Sequence, residues 1–413
     1  MTDARRLDVG ELGLGGGLET LVSATLVGME AGEELEVLSG SELTVGEVAI
    51  WARLAGHEVV AEEAEPRRSR FSVRLRRGAS APERTAGRIE PPALDGGEFG
   101  TESLRAAVGP SPAGADPNRG MVPLGALAGE GISGKAWLRN DRDALWAEQL
   151  GQLVDRSAKS QWSATTDVPW EAARKLSPET ERAVSQVMTY VAQNEYAAYY
   201  VPSRYLSEVN PEFLELLMWL SSHVHDEARH IEVFTKRAVL GGVCSPALES
   251  TDLSLQTLLD EHDFTSSALL LNVLGEGTFT DLLGFVAEHA PDEATATAAA
   301  LARRDEQRHV YFGIAHVRRR LELDPEQREV LIAAVEARAS KLSTLTGLSP
   351  VVKESLVLMS ARSRHPTDVA EAGNAVRRML EGMHHNRVKR LRGAGFDARS
   401  ARHLSELHTV NLM

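Results

Sequence analysis

The stretches DEARHIEV at 226–233 and DEQRHVYF at 305–312 place Asp, Glu, Arg and His in the same order twice in one chain. In each, Glu and His are three residues apart (Glu227 and His230; Glu306 and His309), so on a helix both project from one face. Upstream of each stands a lone carboxylate in apolar surroundings, Glu195 in NEYAAYY and Glu276 in LLNVLGEGTF. Glu195 precedes Glu227 by 32 residues and Glu276 precedes Glu306 by 30, so the arrangement repeats. Four carboxylates inside one bundle would repel each other and lose hydration unless cations compensate them. Two divalent ions held by four Glu and two His satisfy that requirement.

A pair of helix hairpins, each giving one lone Glu and one Glu-x-x-His, resembles the ferritin-like di-iron or di-manganese carboxylate proteins over roughly residues 140–320. Within them it is similar to the ribonucleotide-reductase-like branch. The resemblance implies an all-α four-helix bundle binding two Fe ions, or Mn or mixed Mn/Fe, through Glu195, Glu227, His230, Glu276, Glu306 and His309. It also implies that Asp226 and Asp305 each accept from the histidine of the other motif, and that Arg229 and Arg308 partner those aspartates. Solvated helix-surface charge is the other reading of the two arginines.

Members of this group divide into iron storage, peroxide reduction, radical generation and substrate oxygenation. Radical-generating subunits carry a tyrosine four residues after the first motif's histidine; here that position is Phe234, and the matching offset from His309 is Gly313. Tyr196, Tyr199, Tyr200 and Tyr311 lie near ligands and read as aromatic packing or hydrogen-bonding residues. Gly275 and Gly277 flank Glu276 and would leave room beside the metals. Thr280, four residues beyond Glu276, matches a threonine that lines the oxygen-activating pocket of bacterial multicomponent hydroxylases; alternatively its hydroxyl bonds its own backbone. His223, four before Glu227, lies on the ligand face and is either an additional ligand or a packed histidine. Arylamine N-oxygenases of this superfamily place a third histidine on the later motif, where this chain has Ala302.

The resemblance thus implies a non-haem di-iron monooxygenase-like enzyme that uses O2 to hydroxylate or N-oxidise a small organic substrate. A ferroxidase or peroxidase-type oxidoreductase and a non-enzymatic metal-stabilised scaffold are the alternatives. Cys244 is the sole cysteine, which excludes a four-cysteine iron centre in the same chain, so electrons must come from an external reductase or ferredoxin. That cysteine usage is cytoplasmic, and no segment reads as a signal peptide or a membrane span. With 45 Lys+Arg against 59 Asp+Glu the formal charge is −14, which argues against nucleic-acid and anionic-membrane partners. The expected assembly is a homodimer.

The 413 residues suffice for more than one domain. Residues 1–78 read as a small α/β unit of order β-α-β-α-β-β, with helical spacing in LETLVSATLVGM, alternation in ELEVLSG, and a Gly56 stop before the next strand. They resemble the TusA and SirA sulfur-carrier family through Leu7-Asp8, AGEELEVL and WARLAGHEVV. In GELGLGGGL, however, Leu14 stands where that family has its cysteine, and Gly15 and Gly17 where it has prolines. Without the thiol, sulfur transfer is not implied and a scaffold remains. Residues 79–140 read as a Pro/Gly-rich linker or a long loop wrapped on a neighbour. Residues 141–322 form the bundle and 323–413 a C-terminal helical extension. Ser177-Pro178 and Asn210-Pro211 open the first two long helices, a third runs from about 253 to 289, Pro291 opens the fourth, and Asp324 to Gln327 cap a fifth. His384-His385 in the basic stretch GMHHNRVKRLRGAGF reads as a surface cap or partner contact, since adjacent helix positions diverge.

Overall fold

A computed structural model describes residues 4–65, 70–78, 98–126, 136–173, 175–344 and 348–411. The chain divides into two compact units, Met1–Ile89 and Glu90–Met413.

The first unit runs β1 (Arg5–Asp8), α1 (Leu18–Val27), β2 (Glu34–Ser39), α2 (Glu42–Leu54), β3 (Glu58–Glu65) and β4 (Arg70–Arg76). The sheet order is β1-β2-β4-β3, with β1 and β2 parallel and the other pairs antiparallel. Alternation sets the packing: Leu35 and Val37 of β2 and Val73 and Leu75 of β4 are buried with Leu18, Val22 and Leu26 of α1 and Val45, Val48 and Ala49 of α2. Gly56 takes φ +79°, the left-handed conformation that stops α2 and turns the chain into β3.

Four long rods organise the second unit: α5 (Pro178–Leu206), α6 (Leu214–Leu240), a continuous helix Phe264–His289, and α10 (Glu293–Leu323). Ser177 caps α5 and Asp292 caps α10, each accepting from the backbone N–H three residues on. The third rod departs from its expected form. Instead of one helix from 253 to 289, α7 (Glu249–Leu259) ends, and Asp263 caps a new start by accepting from Ser266 N at 2.7 Å. That rod begins as α8 (Phe264–Ser267), continues as a nine-residue π-helical stretch, Ala268–Glu276, and resumes as α9 (Gly277–His289). It is long and apolar enough to cross a membrane by length and composition, yet its apolar window is 83% buried inside the protein.

Part of the stretch expected as a linker is built into the second unit. Helix α3 (Thr101–Val108) is held by Arg105, whose Nε and Nη2 each lie 2.6 Å from the Glu215 carboxylate, and Trp137 Nε1 donates to Gly120 O at 2.8 Å. Residues 79–97 and 127–135 of the expected linker lie outside the described residues. Helix α4 (Leu150–Lys159) follows.

The C-terminal helices complete the same core. They are α11 (Gln327–Lys341), α12 (Pro350–Ser360), α13 (Pro366–Gly393) and α14 (Ala398–Asn411). Val352, Leu356 and Met359 pack with Val184, Met188 and Val233, while Leu331, Leu391 and Leu404 pack with Leu216, Trp219 and Leu274. Helix α11 starts later than the expected capping box, because the Asp324 side chain accepts from Glu326 N at 3.2 Å and from Gln327 Nε2 at 3.1 Å, forming a turn first. His384 faces inward enough to reach Ser405 Oγ at 3.0 Å, so it joins α13 to α14.

Candidate metal centre

All four rods deliver ligand-type side chains to one interior volume. Helix α5 contributes Glu195; α6 contributes His223, Glu227 and His230; the last π-helical residue is Glu276; and α10 contributes Glu306 and His309. Each is at most 3% exposed. They form two groups able to hold a metal ion, His223 with Glu227, Glu276 and His309, and Glu195 with Glu227, His230 and Glu306. Ligand atoms within each group lie within 4.8 Å of one another, and Glu227 belongs to both. The structure therefore brings together the six expected residues and adds His223, whose Nε2 is 2.9 Å from Glu276 Oε1 and whose ring stacks on His309 at 3.8 Å between centroids.

The histidine orientations assign the ring nitrogens. His230 Nε2 faces Asp305 Oδ2 at 3.4 Å, leaving Nδ1 3.3 Å from Glu306 and 3.4 Å from Glu227. His309 Nε2 faces Asp226 Oδ2 at 3.4 Å, leaving Nδ1 3.0 Å from Glu227 and 3.5 Å from Glu306. Each aspartate thus reaches the histidine of the other motif, and an Nε2–H donated outward leaves Nδ1 as the inward lone pair. Arg308 Nη2 bonds Asp226 at 2.9 Å and Asp305 at 2.7 Å; Arg229 Nη2 bonds Asp305 at 2.8 Å and also reaches Asp226. Burial would raise the Asp226 and Asp305 carboxyls, but the facing histidine and the Arg308 charge outweigh it and hold both well below the ordinary carboxylate range.

The remaining polar atoms test the fit of a metal pair. Glu195 Oε1, both oxygens of Glu227, both of Glu306, and the Nδ1 atoms of His230 and His309 are buried without a hydrogen-bond partner. Burial, with the neighbouring glutamates, pushes the Glu227 and Glu306 carboxyls well above their usual range, and burial raises Glu195 to about 6. Orphaned carboxylate oxygens and imidazole lone pairs converging in a dry interior suit divalent cations, and four carboxylates balance two of them.

Around this set stand residues that the sequence pattern did not indicate. Trp162 donates to Asp305 Oδ2 at 2.6 Å and stacks against His230, with centroids 6.4 Å apart, while the Arg229 guanidinium lies 4.7 Å above its ring. Gln161 bonds Arg229 and Asp226. Asn272 Nδ2 donates to Glu276 Oε2 at 2.7 Å, fixing that carboxylate from within the π-helical stretch. A tryptophan beside a glutamine in the otherwise polar KSQWSATTD was the available signal, though nothing in it points to a partner 143 residues away.

Several expected roles take a different form. Thr280 is buried, but its hydroxyl donates to Gly277 O at 2.7 Å, the helix-bonded alternative, and it belongs to neither ligand group. Gly277 does not open space beside the metals: a Cβ there would meet Arg390 Nε at 2.6 Å, so the glycine admits that arginine. Gly275, by contrast, lies on a cavity wall next to Glu276. Phe234 is fully buried and Ala302 is core. Tyr196, Tyr200 and Tyr311 are exposed rather than packed inside; Tyr196 stacks on Tyr200, Tyr199 meets Tyr200 edge-on, and Tyr311 bonds Gln149 at 2.9 Å.

Gly313 has a specific constraint. A Cβ there would lie 2.5 Å from Asn272 Cβ and 3.3 Å from Ala268 O, both in the π-helical stretch. Gly313→Ala should therefore push that stretch and, through Asn272, Glu276. The expected cost is about 1–3 kcal/mol of stability, with metal lost selectively from the Glu276 side. Denaturant unfolding and metal analysis check it, and unchanged values for both would contradict the close contact.

A small cavity of about 30 Å³ adjoins the ligands. Glu195, Glu276 and Glu306 form part of its wall; Leu255, Leu258 and Leu271 make much of the remainder. A second space of about 20 Å³ lies against His223 and Asn272.

No family model and no curated protein matches the chain. Among solved structures it is similar to R2-like ligand-binding oxidase variants. One, with an aerobically reconstituted Mn/Fe cofactor, is 15% identical over 62% of this chain and 94% of that one, with a TM-score of 0.42. Another, with an Fe/Fe cofactor, is 16% identical over 65% and 92%, with a TM-score of 0.41. A third, with an anaerobically reconstituted Mn/Fe cofactor, is 16% identical over 58% and 94%, with a TM-score of 0.43.

Proposed function

We propose that this chain is a ferritin-like dimetal oxidoreductase that uses O2 to oxygenate a small organic substrate, by hydroxylation or N-oxidation. The observation that carries the reading is the overlap of two buried ligand groups at Glu227, with carboxylate oxygens and imidazole nitrogens left orphaned between them. Iron, alone or paired with manganese, would when bound supply the redox chemistry for O2 reduction, with electrons drawn from an external donor. The protein's own contribution is positional. Glu195, His230 and Glu306 would hold one ion and His223, Glu276 and His309 the other, with Glu227 a member of both groups. Asp226 and Asp305 fix the outer ring nitrogens of His309 and His230, which keeps Nδ1 available as a donor to metal. Asn272 holds one Glu276 oxygen, restricting how that carboxylate swings.

An organic substrate, rather than iron or peroxide alone, is favoured by the leucine-rich lining beside Glu195 and Glu276. Its apolar wall excludes water and strengthens every electrostatic interaction inside. With Cys244 as the one cysteine, the electron donor is a separate reductase or ferredoxin. The first unit serves as a TusA-like scaffold without sulfur chemistry.

The test is metal analysis of the purified chain, then anaerobic Fe(II) loading and rapid mixing with O2 under visible absorbance. Two ions per chain and a transient absorbance support an O2-activating site; mass gain on organic substrates separates oxygenation from ferroxidase or peroxidase turnover. Fewer than one ion per chain, or iron indifferent to O2, would overturn the reading.

A further inference from the structure

Away from the metals, α5, α6 and the strap that follows α6 enclose a cavity of about 280 Å³. That volume approaches the size of small-molecule pockets, whereas the spaces beside the ligand groups hold only about 20 and 30 Å³. Gly242, with φ +71°, turns the chain off the end of α6, and Val243 to Ser245 with Ala247 then make one wall. Hydrogen bonds fasten this strap to α5. Gln186 Nε2 donates to Pro246 O at 3.1 Å and Ser245 Oγ to Ser185 Oγ at 3.0 Å, while the Gln193 amide donates to Leu248 O at 3.0 Å and accepts from Leu248 N at 2.9 Å. The space persists because the two helices present Ala192 and Ala238, both buried, where longer side chains would fill it.

The lining has a definite chemistry. It includes no Asp, Glu, Lys, Arg or His, although a quarter of the chain is charged, so an ion brought in would lose hydration without gaining a partner. Three hydroxyl side chains line it, Thr189 and Tyr196 from α5 and Thr235 from α6, and none has a hydrogen-bond partner among the described residues. Tyr196 also stacks on Tyr200, with centroids 6.4 Å apart, which steadies its ring at the solvent edge. A largely apolar surface with a few unspent hydroxyls suits an uncharged molecule that carries one hydrogen-bonding group.

We propose that this cavity binds a compact, uncharged organic molecule, its apolar body against Ala192, Ala238 and Val239 and its amide, carbonyl or hydroxyl group on Thr189 and Thr235. The site stands apart from the oxygenase reading, because no lining residue belongs to either metal ligand group.

The test is binding to the full, metal-free chain of three probes matched in shape: 3-phenylpropanamide, 3-phenylpropionate and 3-phenylpropylammonium. Calorimetry should give the amide an affinity at least about 10-fold above that of either ion. Cys244 stands on the cavity wall and is the chain's sole cysteine, so its alkylation by iodoacetamide reports on this site alone. Near-saturating amide should slow that alkylation at least about 3-fold. Ala238→Leu, which fills the space, should abolish both effects; if it fails to fold, Ala247→Trp fills the cavity from the exposed strap and replaces it. Thr189→Val combined with Thr235→Val removes two hydroxyls at nearly constant volume and should weaken the amide to the level of the ions. Ions that bind as tightly as the amide, binding that leaves Cys244 unprotected, amide affinity unchanged in the filled or hydroxyl-free variants, and no binding by any probe each overturn the proposal. So does protection of Cys244 that rises with protein concentration alone, which assigns this face to a second copy of the chain.

Discussion

Replacing Glu227 by alanine is expected to remove both metal ions at once, taking the chain from two ions to fewer than one. The reason is its membership of both ligand groups, whereas Glu195 and Glu276 each belong to one. Glu195→Ala and Glu276→Ala should each retain about one ion. The metal-free Glu227→Ala chain should also be more stable than the metal-free natural chain. Four buried carboxylates repel, and burial with the Glu195 and Glu276 charges already drives the Glu227 carboxyl well above its usual range, so deleting it relieves strain. Metal analysis and melting with and without Mn(II) give three readouts: less metal, a higher metal-free Tm, and no Tm rise on adding Mn(II). A Glu227→Ala protein that holds two ions would overturn the shared-ligand arrangement.

Arg237→Met is expected to cause the largest loss of stability away from the metals. Arg237, 1% exposed, donates to Glu181 at 2.7 Å, to Asp292 at 2.8 Å and to the Thr295 hydroxyl at 2.5 Å, tying α5 and α6 to the start of α10. Burial alone would lower its pKa, but those hydrogen bonds and charges raise it. Methionine fills the space and leaves two carboxylates without their cation, at a cost of about 3–5 kcal/mol. Denaturant unfolding at neutral pH measures it, and a change below about 1 kcal/mol would mean that the network behaves like a surface ion pair. Metal content of the folded fraction should not change, since none of these residues is a candidate ligand.

Much of this centre was legible because its chemistry is periodic. Glu227 with His230 and Glu306 with His309 announce themselves by spacing alone, and Ser177-Pro178 marks the start of α5. His223 lay at the right helical offset, but spacing does not reveal that Glu276 approaches it from another rod. Trp162 was invisible because its role depends on a contact across the chain, to Asp305. Gly277 misled for a related reason. A helical glycine next to a ligand looks like room for a substrate, and the structure fills that room with Arg390. The break between α7 and α8 was hidden because apolar residues continue on both sides of it, and only the Asp263 cap reveals it.

The nine residues Ala268–Glu276 bond with a longer reach than the flanking turns, i to i+5 instead of i to i+4. In effect the rod carries an inserted phase. Its two α-helical ends are out of step with each other, and Glu276 stands at the point where the step is taken. Losing one residue there would let the rod close as an ordinary α-helix and rotate one end against the other by about 100°, swinging the carboxylate off the metals or Phe264 off its core. Exchanging one apolar residue for another leaves the phase untouched. In a library of variants this segment should therefore be far less tolerant of a change in length than of a change in composition.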